Sequence, residues 1–180
     1  KEKKGISYNY SLKVDVTDEG GETRGTEKNY RIGYQSLEIG IDPQQQVYNR
    51  AQECAFDLTL ADLNGKESSG SGKYTVSEVL LPAKTTLPAG FRNPAEGDDF
   101  RTGDDQVRPR WDAPPGWEEY ARQFPEGKAV GNGAVKFDEE GKFELKLSSL
   151  PAGVYRLKVE TKDPSGETVE ARRDFVVAGD

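Results

Sequence analysis

Four times in this chain an aspartate is followed three residues later by a glycine and then by a charged residue. The copies read Asp18-Glu19-Gly20-Gly21-Glu22, Asp62-Leu63-Asn64-Gly65-Lys66, Asp138-Glu139-Glu140-Gly141-Lys142 and Asp163-Pro164-Ser165-Gly166-Glu167. Each lies between stretches in which apolar residues alternate with polar ones. An aspartate opening a tight turn can accept hydrogen bonds from the turn's own amides. Glycine in the fourth place can take the left-handed conformation that such a turn often needs. A chain reversed in this way folds as an all-β protein, and the motif itself carries no chemistry.

The alternation supports this. Ile6, Tyr8, Tyr10, Leu12, Val14 and Val16 recur with period two, as do Tyr30, Ile32 and Tyr34. Such spacing puts one face of an extended strand against a core. The next seven strands are expected at about 36–41, 54–61, 66–80, 133–137, 142–147, 154–162 and 167–177. An internal repeat organises them. Tyr10–Gly33 aligns without gaps on Tyr155–Ala178, with eight identities, among them Tyr10/Tyr155, Leu12/Leu157, Val14/Val159 and Asp18/Asp163. Two copies of one closing hairpin imply two tandem domains of one type. Residues 1–35 then form the final hairpin of a preceding immunoglobulin-like domain. Residues 36–180 form a complete seven-stranded sandwich. Some of the four turns are expected to reverse a hairpin and others to arch between sheets.

From about 82 to 133 the alternation stops. Seven of the ten prolines and both tryptophans lie there. A segment this long without strands is an insertion rather than an ordinary connection. Its aromatic residues Phe91, Phe100, Trp111, Trp117, Tyr120 and Phe124 suit a segment packed along the sandwich. Trp117–Phe124 has the spacing for two turns of helix.

Composition removes several functions. The chain of 180 residues has no His. Ser–His–Asp triads and His-containing zinc sites are thereby excluded. No glycine-rich phosphate loop occurs. The net charge of −7 opposes binding to nucleic acid. No run of 18 apolar residues is present to insert in a membrane. The single Cys54 excludes an internal disulfide and reads as a buried thiol. A chain without Met reads as a piece of a longer product.

The segment Leu150–Val159 through Asp163-Pro164-Ser165-Gly166-Glu167-Thr168 to Phe175-Val176-Val177 resembles the closing hairpin of macroglobulin domains in bacterial proteins of the alpha-2-macroglobulin family. Leu12–Gly33 resembles the same element, and Phe56–Lys66 and Val135–Phe143 resemble middle strands. The resemblance implies a tandem array of sandwiches in the cell envelope, in the periplasm or at the surface, with proteases as targets and neighbouring domains as partners. The family's thioester motif C-x-E-Q is missing, since Cys54 is followed by Ala55-Phe56-Asp57. No thioester chemistry and no cofactor are expected here. The implied role is a non-catalytic structural and protein-interaction module.

A second class remains open, a carbohydrate-binding or adhesive sandwich using Trp111, Trp117 and Tyr120 of the insertion. These three are the candidate ligand or protein contacts. The clusters Asp98-Asp99 and Asp104-Asp105 read as solvated loop charge, and Arg101 between them would repel a cation. Glu118-Glu119 and Asp138-Glu139-Glu140 are poor carboxylate pairs, because adjacent side chains rarely aim at one bond. Lys13/Lys158 and Glu22/Glu167 are expected to pair across their hairpins.

Overall fold

The computed structural model describes residues 6–83 and 121–179. Ten strands follow in order: β1 Ser7–Thr17, β2 Thr23–Gly33, β3 Leu37–Pro43, β4 Val47–Asn49, β5 Cys54–Asp62, β6 Gly70–Val79, β7 Glu126–Phe137, β8 Lys142–Leu147, β9 Gly153–Lys162 and β10 Thr168–Ala178. Strands β1 and β2 form a separate two-stranded sheet. The others form an all-β, immunoglobulin-like sandwich of two sheets, ordered β4-β10-β9-β6-β7 and β3-β5-β8. Neighbouring strands are antiparallel, except that β4 runs parallel to β10.

All four D-x-x-G loops share one geometry. The glycine amide donates to the aspartate carbonyl at 3.1, 3.0, 3.1 and 2.9 Å for Gly21, Gly65, Gly141 and Gly166. The aspartate Oδ1 accepts from the amide four residues on, at 2.9, 2.9, 2.7 and 3.0 Å. Each of these glycines has φ between 68° and 87°. This is a type I turn closed by a left-handed glycine. Two loops reverse hairpins, β1–β2 and β9–β10. The other two, at Asp62 and Asp138, carry the chain between sheets, from β5 to β6 and from β7 to β8.

Alternating residues from both sheets meet in the core. Phe56, Leu58 and Leu60 of β5 face Tyr155, Leu157 and Val159 of β9 and Phe175 and Val177 of β10. Tyr48, Phe56, Phe175 and Tyr155 form an aromatic cluster with centroids 5.0–6.0 Å apart. Side chains of this size contribute much of a core's burial energy. The Tyr155 hydroxyl donates to the Pro151 carbonyl at 2.9 Å and holds the entry to β9. Cys54 is fully buried, and burial pushes its thiol up to about 11, so it stays protonated at neutral pH.

Each of the seven strands expected after residue 35 has a counterpart, with two adjustments. The eighth, β4, is only three residues long and buries Tyr48 alone. β7 starts at Glu126, well before 133, because pairing with β6 passes through two irregularities that break the apolar alternation. Of the expected helix, Ala121 is helical and the chain then leaves it through a turn, in which the Phe124 amide donates to the Ala121 carbonyl at 3.0 Å. The remainder of that stretch lies outside the described residues.

Candidate functional site at the hairpin junction

The repeat seen in the sequence is a repeat of structure. In β1–β2, Tyr10 is registered against Tyr30 and Thr17 against Thr23. In β9–β10, Tyr155 is registered against Phe175 and Lys162 against Thr168. Both aromatic pairs stack, at 5.9 Å and 5.6 Å between centroids. Their surroundings differ completely. Tyr155 is 2% exposed and Tyr10 is 47% exposed. Of the large hydrophobic side chains exposed among the described residues, nine belong to this hairpin: Ile6, Tyr8, Tyr10, Leu12, Val14, Val16, Tyr30, Ile32 and Tyr34. The register places Tyr8, Tyr10, Leu12, Val14, Val16, Tyr30 and Ile32 on one side of the hairpin, so these side chains form a contiguous apolar face and not scattered exposed residues.

The hairpin is tied to the sandwich at one end. Asn64, in the loop between β5 and β6, accepts from the Arg31 amide at 2.8 Å and donates to the Arg31 carbonyl at 3.3 Å. Its side-chain amide therefore pairs with the edge of β2 as a strand residue would. Arg31 forks onto Glu38, with one contact at 3.0 Å. Leu63 lies against Gly33. Between this loop and the hairpin is an open cleft of about 460 Å³ lined by Asn9, Tyr10, Tyr30, Arg31, Leu63 and Asn64. Asn64→Ala is expected to cost about 1 kcal/mol, as a pair of exposed hydrogen bonds is lost. The check is amide exchange at Arg31, which should quicken while the sandwich core is unchanged.

Asp163 holds the linker. Its carboxylate is buried and accepts from the Ser36 amide at 3.0 Å and hydroxyl at 3.1 Å. It also accepts from the Ser165 amide and hydroxyl and the Glu167 amide, at 2.6–3.0 Å. Burial alone would raise its pKa; the donors of Ser165, Ser36 and Glu167 outweigh burial and bring it down to about 2. Nearby, Gln35 Nε2 donates to the Thr168 carbonyl at 2.5 Å. A depressed carboxyl stabilises the fold above its unfolded value near 3.8, and the contribution fades as pH falls from there through about 2. Urea melts between pH 7 and pH 2 should show this loss. Asp163→Asn should flatten it and lower stability at pH 7 by about 2 kcal/mol.

On the outer face of the five-stranded sheet, Arg156 and Asp174 form a buried pair whose side chains are 4% and 2% exposed. Nε donates to Oδ1 at 2.7 Å and Nη2 to Oδ2 at 3.1 Å. Nη2 also donates to the Ala121 carbonyl at 2.9 Å, and Nη1 to the Phe124 carbonyl at 3.3 Å and Glu126 at 3.5 Å. The Asp174 hydrogen bond raises the guanidinium pKa above its ordinary value, against the effect of burial. Arg156 thus fastens residues 121–126 to the sheet. Sequence reading missed this pair, although the turn at 163–167 registers Arg156 against Asp174 and so brings opposite charges together.

Lys13 and Glu22 do not meet across the first hairpin; Lys13 lies 4.0 Å from Asp15, and Glu22 bonds Arg24. Opposite each other across β9–β10 stand Lys158 with Arg172 and Glu160 with Glu170, like charges in both cases. Diagonal contacts relieve them, Lys158 reaching Glu170 at 2.9 Å. Trp111, Trp117 and Tyr120 lie outside the described residues, as do Glu118-Glu119 and the aspartates at 98, 99, 104 and 105. Among the described residues no three acidic or thiol side chains are grouped to hold a metal ion. None of the described helical residues forms a helix long and apolar enough to cross a membrane.

No protein-family model matches the chain, and no curated protein does. Solved structures resemble it at the level of fold. A Salmonella alpha-2-macroglobulin reacted with methylamine is similar over 96% of this chain and 10% of its own, at 16% identity and a TM-score of 0.48. Trypsin-activated alpha-2-macroglobulin from Escherichia coli is similar over 94% of this chain and 10% of its own, at 11% identity and 0.47. The soluble domain of PmoD from a Methylocystis species gives 82%, 94%, 12% and 0.34 in the same order. The chain spans about a tenth of the length of these macroglobulin chains.

Proposed function

We propose that this chain is a non-catalytic structural and protein-interaction module of a longer cell-envelope protein of the alpha-2-macroglobulin type. Residues 1–35 are the closing hairpin of one immunoglobulin-like domain, and residues 36–180 are the next domain with its insertion. One observation carries the reading: the first hairpin has the register, turn and stacked aromatic pair of the hairpin that closes the sandwich, with its apolar face uncovered. The envelope location and protease targets follow from the resemblance of Leu150–Val177 and Leu12–Gly33 to macroglobulin hairpins. Antibodies raised against the chain should recover its gene product from the periplasm or the cell surface, in a complex with an added protease. Recovery from the cytoplasm, with no such complex, would contradict the role.

A further inference from the structure

We infer that the partner of the exposed hairpin face is a preceding domain of the same protein, which supplies a facing apolar sheet and one edge strand, on β1 only. The inference rests on the reading of residues 1–35 given above and specifies what completes them. The copy at 153–178 shows what such a hairpin takes. Its inner face is covered by the row Phe56, Leu58 and Leu60. Its β9 edge pairs antiparallel with β6 from Glu78 to Gly72, along Tyr155–Thr161. Its β10 edge pairs with the short parallel strand β4, Val176 against Val47.

Transferred to the first hairpin by the register of the repeat, the antiparallel strand belongs along Tyr10–Val16 of β1. The short parallel strand would belong at Arg31–Gly33 of β2. That second place is already taken. Arg31 is the counterpart of Val176, and its amide and carbonyl both bond the Asn64 side chain. The following domain thus lends its Asp62 loop in place of a β4. Among the described residues, what remains open is the apolar face and the β1 edge. A free edge beside an uncovered apolar face is a template for strand addition. An isolated two-stranded hairpin is marginal in water, so completion stabilises it.

The test compares the 180-residue chain with the same chain extended by the residues its gene encodes before Lys1, using a fluorescent apolar dye and amide exchange. Extension is expected to lower dye fluorescence about fivefold. Amides of Tyr10–Val16 that point away from β2 should slow by about 100-fold or more, with little change at Arg31. Unchanged dye binding and exchange, or a gene that encodes nothing before Lys1, overturns the inference. So does a concentration-dependent dimer of the 180-residue chain that protects the same amides, which would make a second copy the partner. Val14→Asp should lower the Tm of the extended protein by about 8 °C and that of the 180-residue chain by at most about 2 °C. The milder Val14→Thr should keep the same order if the first variant fails to fold. Equal shifts overturn the inference. A cytoplasmic gene product would contradict the envelope role and leave each of these results standing.

Discussion

Asp174→Ala is expected to destabilise the sandwich by about 3–5 kcal/mol, because it leaves the Arg156 guanidinium buried without its close counter-charge. All five N–H groups of Arg156 are occupied, two by Asp174, two by the Ala121 and Phe124 carbonyls and one by Glu126. After the substitution only the partly exposed Glu126, at 3.5 Å, offers a charge. Water cannot easily replace Asp174, since Ala121 is itself fully buried. Replacing both partners by apolar residues, Arg156→Met with Asp174→Leu, should recover much of the loss, as removing a buried pair together is often neutral. Urea melts at pH 7 check both variants. A loss below about 1 kcal/mol for Asp174→Ala would mean that Arg156 turns out to solvent and that residues 121–126 are not fastened by it.

Gly141→Ala is expected to cost about 3–5 kcal/mol, while Gly65→Ala and Gly166→Ala cost about 1–2 kcal/mol each. All share the turn and the left-handed backbone, at φ of 68°, 82° and 87°. They differ in what lies beyond the α-carbon. A methyl on Gly65 or Gly166 meets nothing within 4 Å. A methyl on Gly141 would sit 2.2 Å from the Leu60 carbonyl oxygen and 3.2 Å from Ser68 backbone atoms. The two inter-sheet loops pass side by side there, and the Leu60 amide donates to the Gly141 carbonyl at 2.7 Å. The substitutions at 65 and 166 isolate the torsional cost, and the difference at 141 measures the contact between loops. Similar melting for Gly141→Ala and Gly65→Ala would contradict the arrangement.

Much of this fold was legible because its signals are local. An aspartate and a glycine at fixed spacing set four turns, and period-two apolar residues set the faces of the strands around them. The repeat added the register, since equal turns and equal flanks leave the strands one way to pair. What the sequence hid was decided at long range. Identical loop hydrogen bonds serve a hairpin at Asp163 and an inter-sheet crossing at Asp138, and packing alone separates them. Strand β4 escaped notice because three residues with one buried tyrosine have no period. The glycines at 127, 131 and 133 leave the start of β7 without an apolar rhythm. Asn64 and Asp163 looked like ordinary turn residues, and their second role, holding Arg31 and Ser36, depends on elements about 30 and 130 positions away in sequence. The candidate contacts Trp111, Trp117 and Tyr120 fall outside the described residues, so the junction at the first hairpin, not the insertion, carries the functional reading.

Amide exchange across the intact 180-residue chain tests the central claim most directly. The two hairpins have the same register and turn, and one is buried in a sandwich while the other is not. Amides of β9 and β10 inside their ladder should exchange about 1,000-fold more slowly than the matched amides of β1 and β2, because protection follows burial and global stability rather than pairing alone. Equal protection of the matched amides would contradict the claim, since the first hairpin would then already be completed within this chain.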